Sequence, residues 1–305
     1  MISVIIPVFN EIGSLPELMD QLRKVLHIYK KWEILFVDDG STDGSTEFLN
    51  DLSRKDENVT LIQFHRNYGK SAALSEGFKR AKGEYLITMD ADLQDDPAEI
   101  PNLVKKLEEG FDLVSGWKKE RKDPISKRFP SKIFNYVTRI MTGVKIHDFN
   151  CGLKIYRKAV IKTLDLYGGR HRYIPALAGH NKFRISEIQV NHRSRIHGVT
   201  KYGGSRLFHG FFDLISIIFM NRYTQQPLHL FGFFGLFCGL ASLTVELYVI
   251  GKKIFFGHSF YEHLALMLFG AMFFILGLWF FSIGLIAEMI TRGAQEKESR
   301  VKQII

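Results

Sequence analysis

Short apolar runs alternate with helical patterns over residues 1–120. Runs such as Ser3–Val8 are apolar at almost every position, which is typical of strands buried on both faces of a parallel sheet. The segments between them place Leu, Met and Val at helical spacing. This alternation predicts an α/β fold, a Rossmann-like, mostly parallel sheet with helices on both faces. The predicted strands are Ser3–Val8, Glu33–Val37, Val59–Phe64, Glu84–Met89 and Asp112–Ser115, and the predicted helices are Leu15–Ile28, one from about Asp43, Ser71–Ala81 and Pro97–Glu109.

The last quarter of the chain is far more apolar than the rest. Leu228–Ile250 has 23 residues with one acidic side chain, Glu246, and Leu264–Ala287 has 24 residues without a charge. At a rise of about 1.5 Å per residue, each segment exceeds the roughly 30 Å hydrocarbon core of a bilayer. Both are therefore predicted to be transmembrane helices rather than buried core helices.

Basic residues are more numerous after the second apolar segment than in the loop before it. Because cytoplasmic segments near a membrane are enriched in Lys and Arg, the tail and the N-terminal part are both predicted in the cytoplasm, as two spans require. The predicted organisation is a cytoplasmic domain at 1–204, an amphipathic juxtamembrane segment at 205–226, two spans within 227–290 and a basic tail at 291–305. The basic residues are Lys252 and Lys253 in the loop and Arg292, Lys297, Arg300 and Lys302 in the tail.

Two further stretches have helical spacing with one narrow polar stripe. Spacings of three and four residues indicate a helix with one solvent-exposed polar face. We expect both helices to lie at the membrane surface, and packing against the sheet is the alternative. The stripes are Arg128, Lys132, Asn135 and Arg139 in 128–141, and Arg206, His209, Asp213 and Ser216 in 206–222.

The chain is basic, with a net charge of +9 and a pI of about 9.4. Such a balance suits a nucleic acid or an anionic membrane surface. The membrane is favoured because the basic residues cluster near the amphipathic stretches, and no nucleic-acid-binding motif accompanies them. The two cysteines, Cys151 and Cys238, argue against a disulfide framework. The histidines at 171, 180 and 192 have no metal-ligand spacing and are expected to be ordinary polar residues.

Four polar clusters directly follow predicted strands. In open α/β sheets, ligands bind at the carboxyl ends of the strands, so these clusters are expected to converge on one edge of the sheet. They are Asn10-Glu11, Asp38-Asp39, Arg66-Asn67 and Asp90-Ala91-Asp92.

Asp90 and Asp92 carry the most chemical information among these residues. Positions i and i+2 at the end of a strand project to the same side, so both carboxylates are predicted to face one ligand, and Gln94 adds a third oxygen on the same alternation. Oxygen ligands of this kind suit Mg²⁺ or Mn²⁺ bound together with substrate phosphates. The alternative is an Asp-rich turn that merely caps the helix beginning at Pro97.

Four segments of the chain resemble, in order and spacing, the motifs of family 2 glycosyltransferases with the GT-A fold. The closest resemblance is to their polyprenyl-phosphate branch, which includes dolichol-phosphate mannose synthases, and it extends over nearly the whole chain. It implies a metal-dependent hexosyltransferase that moves a sugar, with inversion, from a nucleotide donor to a polyprenyl phosphate, with 1–204 as the catalytic domain. The segments are Pro7-Val8-Phe9-Asn10-Glu11, Val37-Asp38-Asp39-Gly40-Ser41-Thr42-Asp43, Arg66-Asn67-Tyr68-Gly69-Lys70 and Asp90-Ala91-Asp92-Leu93-Gln94.

The resemblance also implies roles for residues of the donor site. Asp148 stands where a catalytic acidic residue is expected, and Lys118 stands where the family often has an arginine. Lys70 belongs to one of the donor-binding motifs. The residues implied at the nucleoside are Pro7, Phe9, Glu11, Val37 and Asp39, and those implied at the diphosphate and metal are Asp90, Ala91, Asp92 and Gln94.

Arg195 and Lys201 resemble an arginine and a lysine, six positions apart, that grip phosphate in this family. Together with Arg128 they are expected to gather the charge of the acceptor.

Elementary chemistry is consistent with this reading of the residues. A divalent ion between Asp92 and the diphosphate would stabilise the negative charge that develops on the leaving nucleotide. The second pKa of a phosphate monoester is ~6, so an acceptor phosphate is largely ionised at neutral pH. Asp148 therefore need not be a strong general base, and orientation or stabilisation of an oxocarbenium ion is an equally good role for it.

Two rival functions belong to different classes. A processive polysaccharide synthase would need a Gln-x-x-Arg-Trp signature and more spans, and the sequence has neither. A membrane-anchored nucleotide-sugar binder without catalysis is opposed by the presence of Asp90, Asp92 and Asp148.

The motifs do not specify the sugar. We favour transfer from UDP-glucose to undecaprenyl phosphate, because the short two-span form resembles bacterial lipid-linked glucosyl donors, with GDP-mannose as the alternative. The expected partners are the nucleotide sugar, the polyprenyl phosphate and the cytoplasmic membrane, and no nucleic acid. Self-association into a homo-oligomer is left open.

Overall fold

The structure is a computed structural model that describes residues 1–119, 125–164, 166–193 and 226–295, without the side chains of 125–130 and 292–295. Contacts divide the chain into two compact units, Met1–Ser216 and Ile217–Ile305. The first unit contains a β-sheet and its helices, and the second contains two long apolar helices.

A seven-stranded sheet forms the centre of the first unit. The strands are β1 Ile2–Val8, β2 Trp32–Asp38, β3 Val59–Gln63, β4 Tyr85–Thr88, β5 Leu113–Trp117, β6 Lys154–Arg157 and β7 Ile185–Gln189. Their order in the sheet is β3-β2-β1-β4-β6-β5-β7. Neighbours are parallel except at β6, which is antiparallel to both β4 and β5. The predicted mostly parallel α/β fold is confirmed.

Helices cover both faces of this sheet. They are α1 Leu15–Leu26, α2 Ser45–Lys55, α3 Lys70–Arg80, α4 Ile100–Glu108, α5 Ile125–Thr142, α6 Lys158–Ile161 and α7 Ile174–His180, with 3-10 turns at Pro97–Glu99 and Arg170–Tyr173. Successive residues of β1 point to opposite faces. Ile6 belongs to a core that includes α1 and α4, whereas Ile5 belongs to a core that includes α3 and α7. Because both faces are covered, the central strands are apolar at almost every position.

The five strands and four helices predicted within residues 1–120 are all present, with ends that differ by at most three residues. Strands β6 and β7 are not predicted from the sequence. Lys154 and Arg157 bound β6, and β7 is only half-buried, so neither strand has the apolar run that marks the earlier ones.

Helix α5 contains the first of the two stretches with a predicted polar stripe. Lys132 of that stripe is exposed, but Asn135 is buried and its Oδ1 accepts a hydrogen bond of 3.2 Å from the Phe149 N–H. The prediction that the polar stripe faces solvent is therefore wrong at Asn135, because this side chain accepts a backbone hydrogen bond inside the unit. Among the side chains of this helix that the structure describes, the exposed large apolar ones are Ile133, Tyr136, Ile140 and Met141. The stretch at 206–222 lies outside the described residues.

The second unit consists of α8 Pro227–Phe256 and α9 Leu264–Gln295, joined through a 3-10 turn at Phe260–His263. Both helices are long and apolar enough to cross a membrane. Gly235 and Gly277 bring the two backbones together, since a Cβ added to either would lie 3.0 Å from the carbonyl oxygen of the other. Small residues at such a contact allow close packing of membrane helices.

Gly277→Leu is expected to destabilise the pairing of α8 and α9 by about 1–3 kcal/mol, because leucine overpacks the contact with the Gly235 backbone. Titrating the purified full-length protein with SDS, followed by circular dichroism, measures the change. Gly239→Leu is the matched control, since an added Cβ there meets nothing within 4 Å. Equal unfolding midpoints for the two variants would show that the glycine contact does not hold the helices together.

Candidate active site

The carboxyl ends of β1, β2 and β4 meet at one edge of the sheet. In the parallel register Val8 pairs with Asp38, and Ile5 pairs with Thr88, the last residue of β4. The polar residues that follow these strands therefore begin at the same edge, as the rule for open α/β sheets predicts.

Asp39 connects the end of β2 to the segment that precedes α3. It is almost fully buried, and its two carboxylate oxygens accept hydrogen bonds from the N–H groups of Tyr68 at 2.6 Å and Gly69 at 2.9 Å. Burial raises the pKa of Asp39 above its ordinary value, although the two N–H groups oppose this. Gly40 has φ +76°, and an added Cβ there would lie 2.7 Å from the Arg66 backbone, so glycine is required for this close approach.

The other residues predicted at the nucleoside differ in exposure. Pro7, Phe9 and Glu11 are half-buried at the end of β1 and retain surface that a ligand can contact. Val37 is fully buried, with its side chain in the core beside α3. Val37 could therefore contact the nucleoside only through its backbone. For Pro7, Phe9 and Glu11, side-chain contact with the nucleoside stays a prediction.

Asp90 forms an ion pair with Lys70, the first residue of α3. About a third of the Asp90 side chain stays exposed. Burial opposes ionisation of this carboxyl, but the Lys70 ammonium lowers the pKa of Asp90 to about 2. Asp90 is therefore a carboxylate at neutral pH and is accessible from one side.

Asp92 and Gln94 lie in a turn rather than on an extended strand. Strand β4 ends at Thr88, Leu93 has φ +62°, and the Gln94 N–H donates a 3.2 Å hydrogen bond to Asp92 Oδ1. The alternation used to place Asp90, Asp92 and Gln94 on one side is therefore wrong, because the chain has already left the sheet. Ala91 is buried beside them, and its carbonyl accepts a hydrogen bond from Ser14 Oγ.

The carboxylates at this edge suit a hard divalent cation, because Mg²⁺ and Mn²⁺ prefer oxygen ligands. Within the residues that the structure describes, the one group of three His, Cys, Asp or Glu ligand atoms lying within 4.8 Å of one another is His258, Glu262 and His263, which belong to the second unit. Asp90 and Asp92 therefore fit the mode in which one or two carboxylates hold the ion and substrate phosphates complete its coordination.

Asp95 is a buried residue of this site that the sequence analysis missed. Its Oδ1 lies 2.8 Å from Lys118 Nζ, and its Oδ2 accepts a 3.3 Å hydrogen bond from the Asp90 N–H. Burial disfavours the charged form of Lys118, but Asp95 raises the pKa of this lysine above its ordinary value. Lys118, which was predicted at the donor, is thus paired with Asp95. Through Asp95, it helps to fix the position of Asp90.

Asp148 lies in the segment between α5 and β6. It is 1% exposed, and its Oδ1 accepts a 3.1 Å hydrogen bond from the Asn150 N–H. The backbone carbonyl of Asp148 accepts a hydrogen bond from Ser115 Oγ. The structure thus presents Asp148 as a buried, oriented carboxylate, and its catalytic role stays a prediction.

His171 was expected to be an ordinary polar residue, but the structure places it in the site. Its Nδ1 lies 2.9 Å from Ser71 Oγ, and it lines a pocket together with Lys70, Lys154 and Arg172. Burial, with Lys70 adding to its effect, lowers the pKa of His171 well below its ordinary value, so the imidazole is neutral at pH 7. Because these residues come from three separate parts of the chain, no local spacing signals them.

Three predicted acceptor residues cannot be placed in this site. Arg128 belongs to α5, but its side chain is outside the described part of the structure. Arg195 and Lys201 lie in the undescribed segment after Arg193. Their contacts with phosphate stay predictions.

Residues 3–165 match the family described as glycosyl transferase family 2, which is more than half of the chain. The chain belongs to glycosyl transferase family 2. This match spans the segments around Asp39, Asp90, Asp95 and Asp148. As a member of this family the chain is a glycosyltransferase, which confirms the predicted enzyme class.

Two relatives extend the likeness of this glycosyltransferase to nearly its full length. A dodecaprenyl-phosphate galacturonate synthase from Rhizobium johnstonii is 39% identical over 297 residues, which cover 95% of this chain and 88% of the relative. An undecaprenyl-phosphate 4-deoxy-4-formamido-L-arabinose transferase from Pseudomonas aeruginosa is 34% identical over 307 residues, which cover 100% of this chain and 89% of the relative. The predicted resemblance to the polyprenyl-phosphate branch is confirmed.

A solved structure supports the GT-A fold of this glycosyltransferase. Glucosyl-3-phosphoglycerate synthase from Mycobacterium tuberculosis, in complex with Mn²⁺ and UDP-glucose, has a TM-score of 0.55 at 17% identity. The likeness covers 72% of this chain and 78% of that chain. At this identity it shows the fold of the first unit and not the ligands.

Proposed function

We propose that this glycosyltransferase moves a sugar, with inversion, from a nucleotide donor to a polyprenyl phosphate at the cytoplasmic membrane. The observation that carries the proposal is the full-length likeness to two relatives whose names both give polyprenyl-phosphate products. That likeness includes α8 and α9, which are apolar enough to hold a lipid-modifying enzyme in a bilayer.

The proposed donor site is the sheet edge that holds Asp39 and Asp90. Asp90 and Asp92, with Gln94 beside them, would hold Mg²⁺ or Mn²⁺, which would neutralise charge on the leaving diphosphate when bound. The Mycobacterium tuberculosis structure names Mn²⁺ and UDP-glucose as ligands of that protein, which supports a divalent ion here. The nucleoside would lie against Pro7, Phe9 and Glu11.

The proposed reaction is a single displacement at the anomeric carbon. An oxygen of the acceptor phosphate forms the new bond, and the bond to the diphosphate oxygen breaks, so that the nucleoside diphosphate leaves with the electron pair. The second pKa of the acceptor phosphate is ~6, so no strong base is needed at neutral pH. The burial of Asp148 therefore favours a role in orientation or in stabilising the positive sugar ring.

The proposed acceptor site lies at the membrane surface, because the phosphate of a polyprenyl lipid is at headgroup level. Arg195, Lys201 and Arg128 are the residues proposed to bind this phosphate. The exposed apolar side chains of α5, among them Tyr136 and Ile140, support contact of the first unit with lipid. The two spans and the basic tail would keep this unit on the cytoplasmic side.

Two donors are the leading candidates for the sugar. UDP-glucose is the expectation from the sequence, with GDP-mannose as its alternative. The second candidate is a galacturonate donor, because the relative with 39% identity is named a galacturonate synthase. Glucose and galacturonate differ in charge, since only the latter carries a carboxylate at C6.

Incubating the purified full-length protein with undecaprenyl phosphate, Mn²⁺ and a radiolabelled nucleotide sugar is expected to give a labelled lipid. The product should depend on the acceptor, and a chelator should remove most of it, because the diphosphate loses its counter-ion. UDP-glucose, UDP-galacturonate and GDP-mannose are compared in parallel. A protein that binds nucleotide sugars but forms no labelled lipid from any of them would be a non-catalytic binder, and the proposal would be wrong.

A further inference from the structure

A small polar pocket opens beside Asp90 in the first unit. The empty space inside it is about 240 Å³, a figure that includes open solvent at the mouth, so the enclosed part is much smaller. It therefore suits a small group at the end of a larger ligand. The polar side chains of its wall include Lys70, Thr88, Lys154, Tyr156, His171 and Arg172.

Two cations of this pocket form no ion pair with any carboxylate of the described residues. Lys154 is 3% exposed, and its ammonium donates to the backbone carbonyl of Cys151. Arg172 is half-buried as a residue, and its Nε, which is buried, has no hydrogen-bond partner in the described part of the chain. Burying a cation without a counter-ion is unfavourable, because no Coulomb attraction offsets the lost hydration.

The other polar groups of the wall do not supply the missing negative charge. His171 is neutral at pH 7, and Thr88 and Tyr156 hydrogen-bond each other at 3.2 Å. Lys70 is already paired with Asp90. The pocket thus has an excess of positive charge, and an anion is the ligand that would satisfy it.

The pocket is contiguous with the proposed diphosphate site. Lys70 lines the pocket and pairs with Asp90, and Gly152 lines it so tightly that an added Cβ would lie 2.7 Å from Asp90 Oδ2. In a nucleotide sugar the sugar is bonded directly to the diphosphate. A group on the sugar is therefore the part of the donor that reaches this pocket once the diphosphate is at Asp90.

We propose that Lys154 and Arg172 form a subsite for a carboxylate on the donor sugar, so that the enzyme selects a nucleotide hexuronate over a neutral hexose. This rests on the proposed function. A phosphate of the acceptor has the same oxyanion chemistry, but the small pocket beside Asp90 fits the terminal carboxylate of the donor better than the phosphate of a membrane-bound lipid.

The selectivity has a direct physical cause. A carboxylate can accept charged hydrogen bonds from the Arg172 guanidinium and the Lys154 ammonium together. The neutral hydroxymethyl group of a hexose leaves both cations without a counter-charge, and a site with unpaired buried polar groups rejects such a substrate. Each charged hydrogen bond that is lost corresponds to roughly a 10- to 100-fold weaker interaction.

UDP-galacturonate and UDP-galactose are the test pair, because they differ only at C6. With the full-length enzyme, Mn²⁺ and undecaprenyl phosphate, wild type is expected to prefer the uronate in kcat/KM by roughly 100-fold. Arg172→Gln and Lys154→Met should each lower this preference at least tenfold. Lys162→Met is the matched control, since Lys162 is exposed outside the pocket and its loss should leave the preference unchanged.

Two further measurements separate the alternatives. Calorimetry without acceptor measures the affinity for both nucleotide sugars even in a variant that transfers slowly. If the buried Lys154→Met variant fails to fold, Arg172→Gln still tests the subsite. Equal affinities of wild type for the two donors would overturn the carboxylate subsite while leaving transfer itself intact. If the variants had a raised KM for undecaprenyl phosphate and an unchanged donor preference, the pocket would belong to the acceptor and the proposal would be overturned. Absence of lipid product from every donor would instead overturn the proposed function, on which the subsite rests.

Discussion

Asp92→Asn is expected to lower the rate of sugar transfer roughly 10²- to 10³-fold, the usual cost of losing one preorganised electrostatic contact to a transition state. The variant keeps the shape of the side chain and an oxygen for the 3.2 Å hydrogen bond from the Gln94 N–H. It removes one negative charge from the proposed metal. The loss should therefore be larger in kcat than in the affinity for the nucleotide measured without metal.

Formation of labelled polyprenyl-phosphate sugar over a Mn²⁺ titration measures this effect. Wild type should show saturating dependence on the metal, and Asp92→Asn should need more metal for any residual rate. Asp51→Asn is the control, because it makes the same change on an exposed position of α2. If Asp92→Asn kept wild-type activity in the presence of a chelator, the assignment of Asp92 to a metal would be wrong.

The fold of residues 1–120 could be predicted because four of the five strands there are buried on both faces, the exception being the edge strand β3. Ile5 and Ile6 pack into opposite cores, so almost every position of β1 is apolar, and that run is visible in the sequence. The strand β6 escaped prediction because Lys154 and Arg157 interrupt its apolar character, although it is buried between β4 and β5. Lys154 lines the pocket of the site, whereas Arg157 donates hydrogen bonds to the carbonyls of Phe111 and Leu107.

From the pattern of the residues alone, without the family resemblance, the candidate site could be predicted only where its residues follow strands in sequence. Asp39, Asp90 and Asp92 were found in this way, but the turn at Leu93 shows that strand alternation does not extend beyond Thr88. The contacts of Lys118 with Asp95 and of His171 with Ser71 join distant segments. Such pairs depend on the insertion of an antiparallel strand and on loop paths, for which one sequence has no periodic signal.

Asp95→Leu is expected to reduce the free energy of unfolding by about 3–5 kcal/mol, because it leaves the ammonium of Lys118 buried without its partner. The Asp95 side chain is 0% exposed and that of Lys118 is 12% exposed, so water cannot replace the lost contact fully. Thermal and denaturant unfolding of the full-length protein in detergent measures the change. Arg23–Asp56 gives the control, since this pair is as short, at 2.7 Å, but its arginine side chain is 44% exposed. Asp56→Leu should cost less than about 1 kcal/mol.

The double variant Asp95→Leu with Lys118→Met decides whether the charge pair itself is responsible. Replacing both members of a buried pair by apolar side chains removes the unpaired charge, so the double variant should recover much of the stability that Asp95→Leu loses. It should not recover sugar transfer, because the Asp90 N–H loses its acceptor, Asp95 Oδ2, and the carboxylate of Asp90 loses a fixed position. A double variant as unstable as Asp95→Leu would show that Asp95 stabilises the turn through its hydrogen bonds and packing, and not by neutralising Lys118. If the double variant recovered both stability and activity, Asp95 would not be needed to position Asp90.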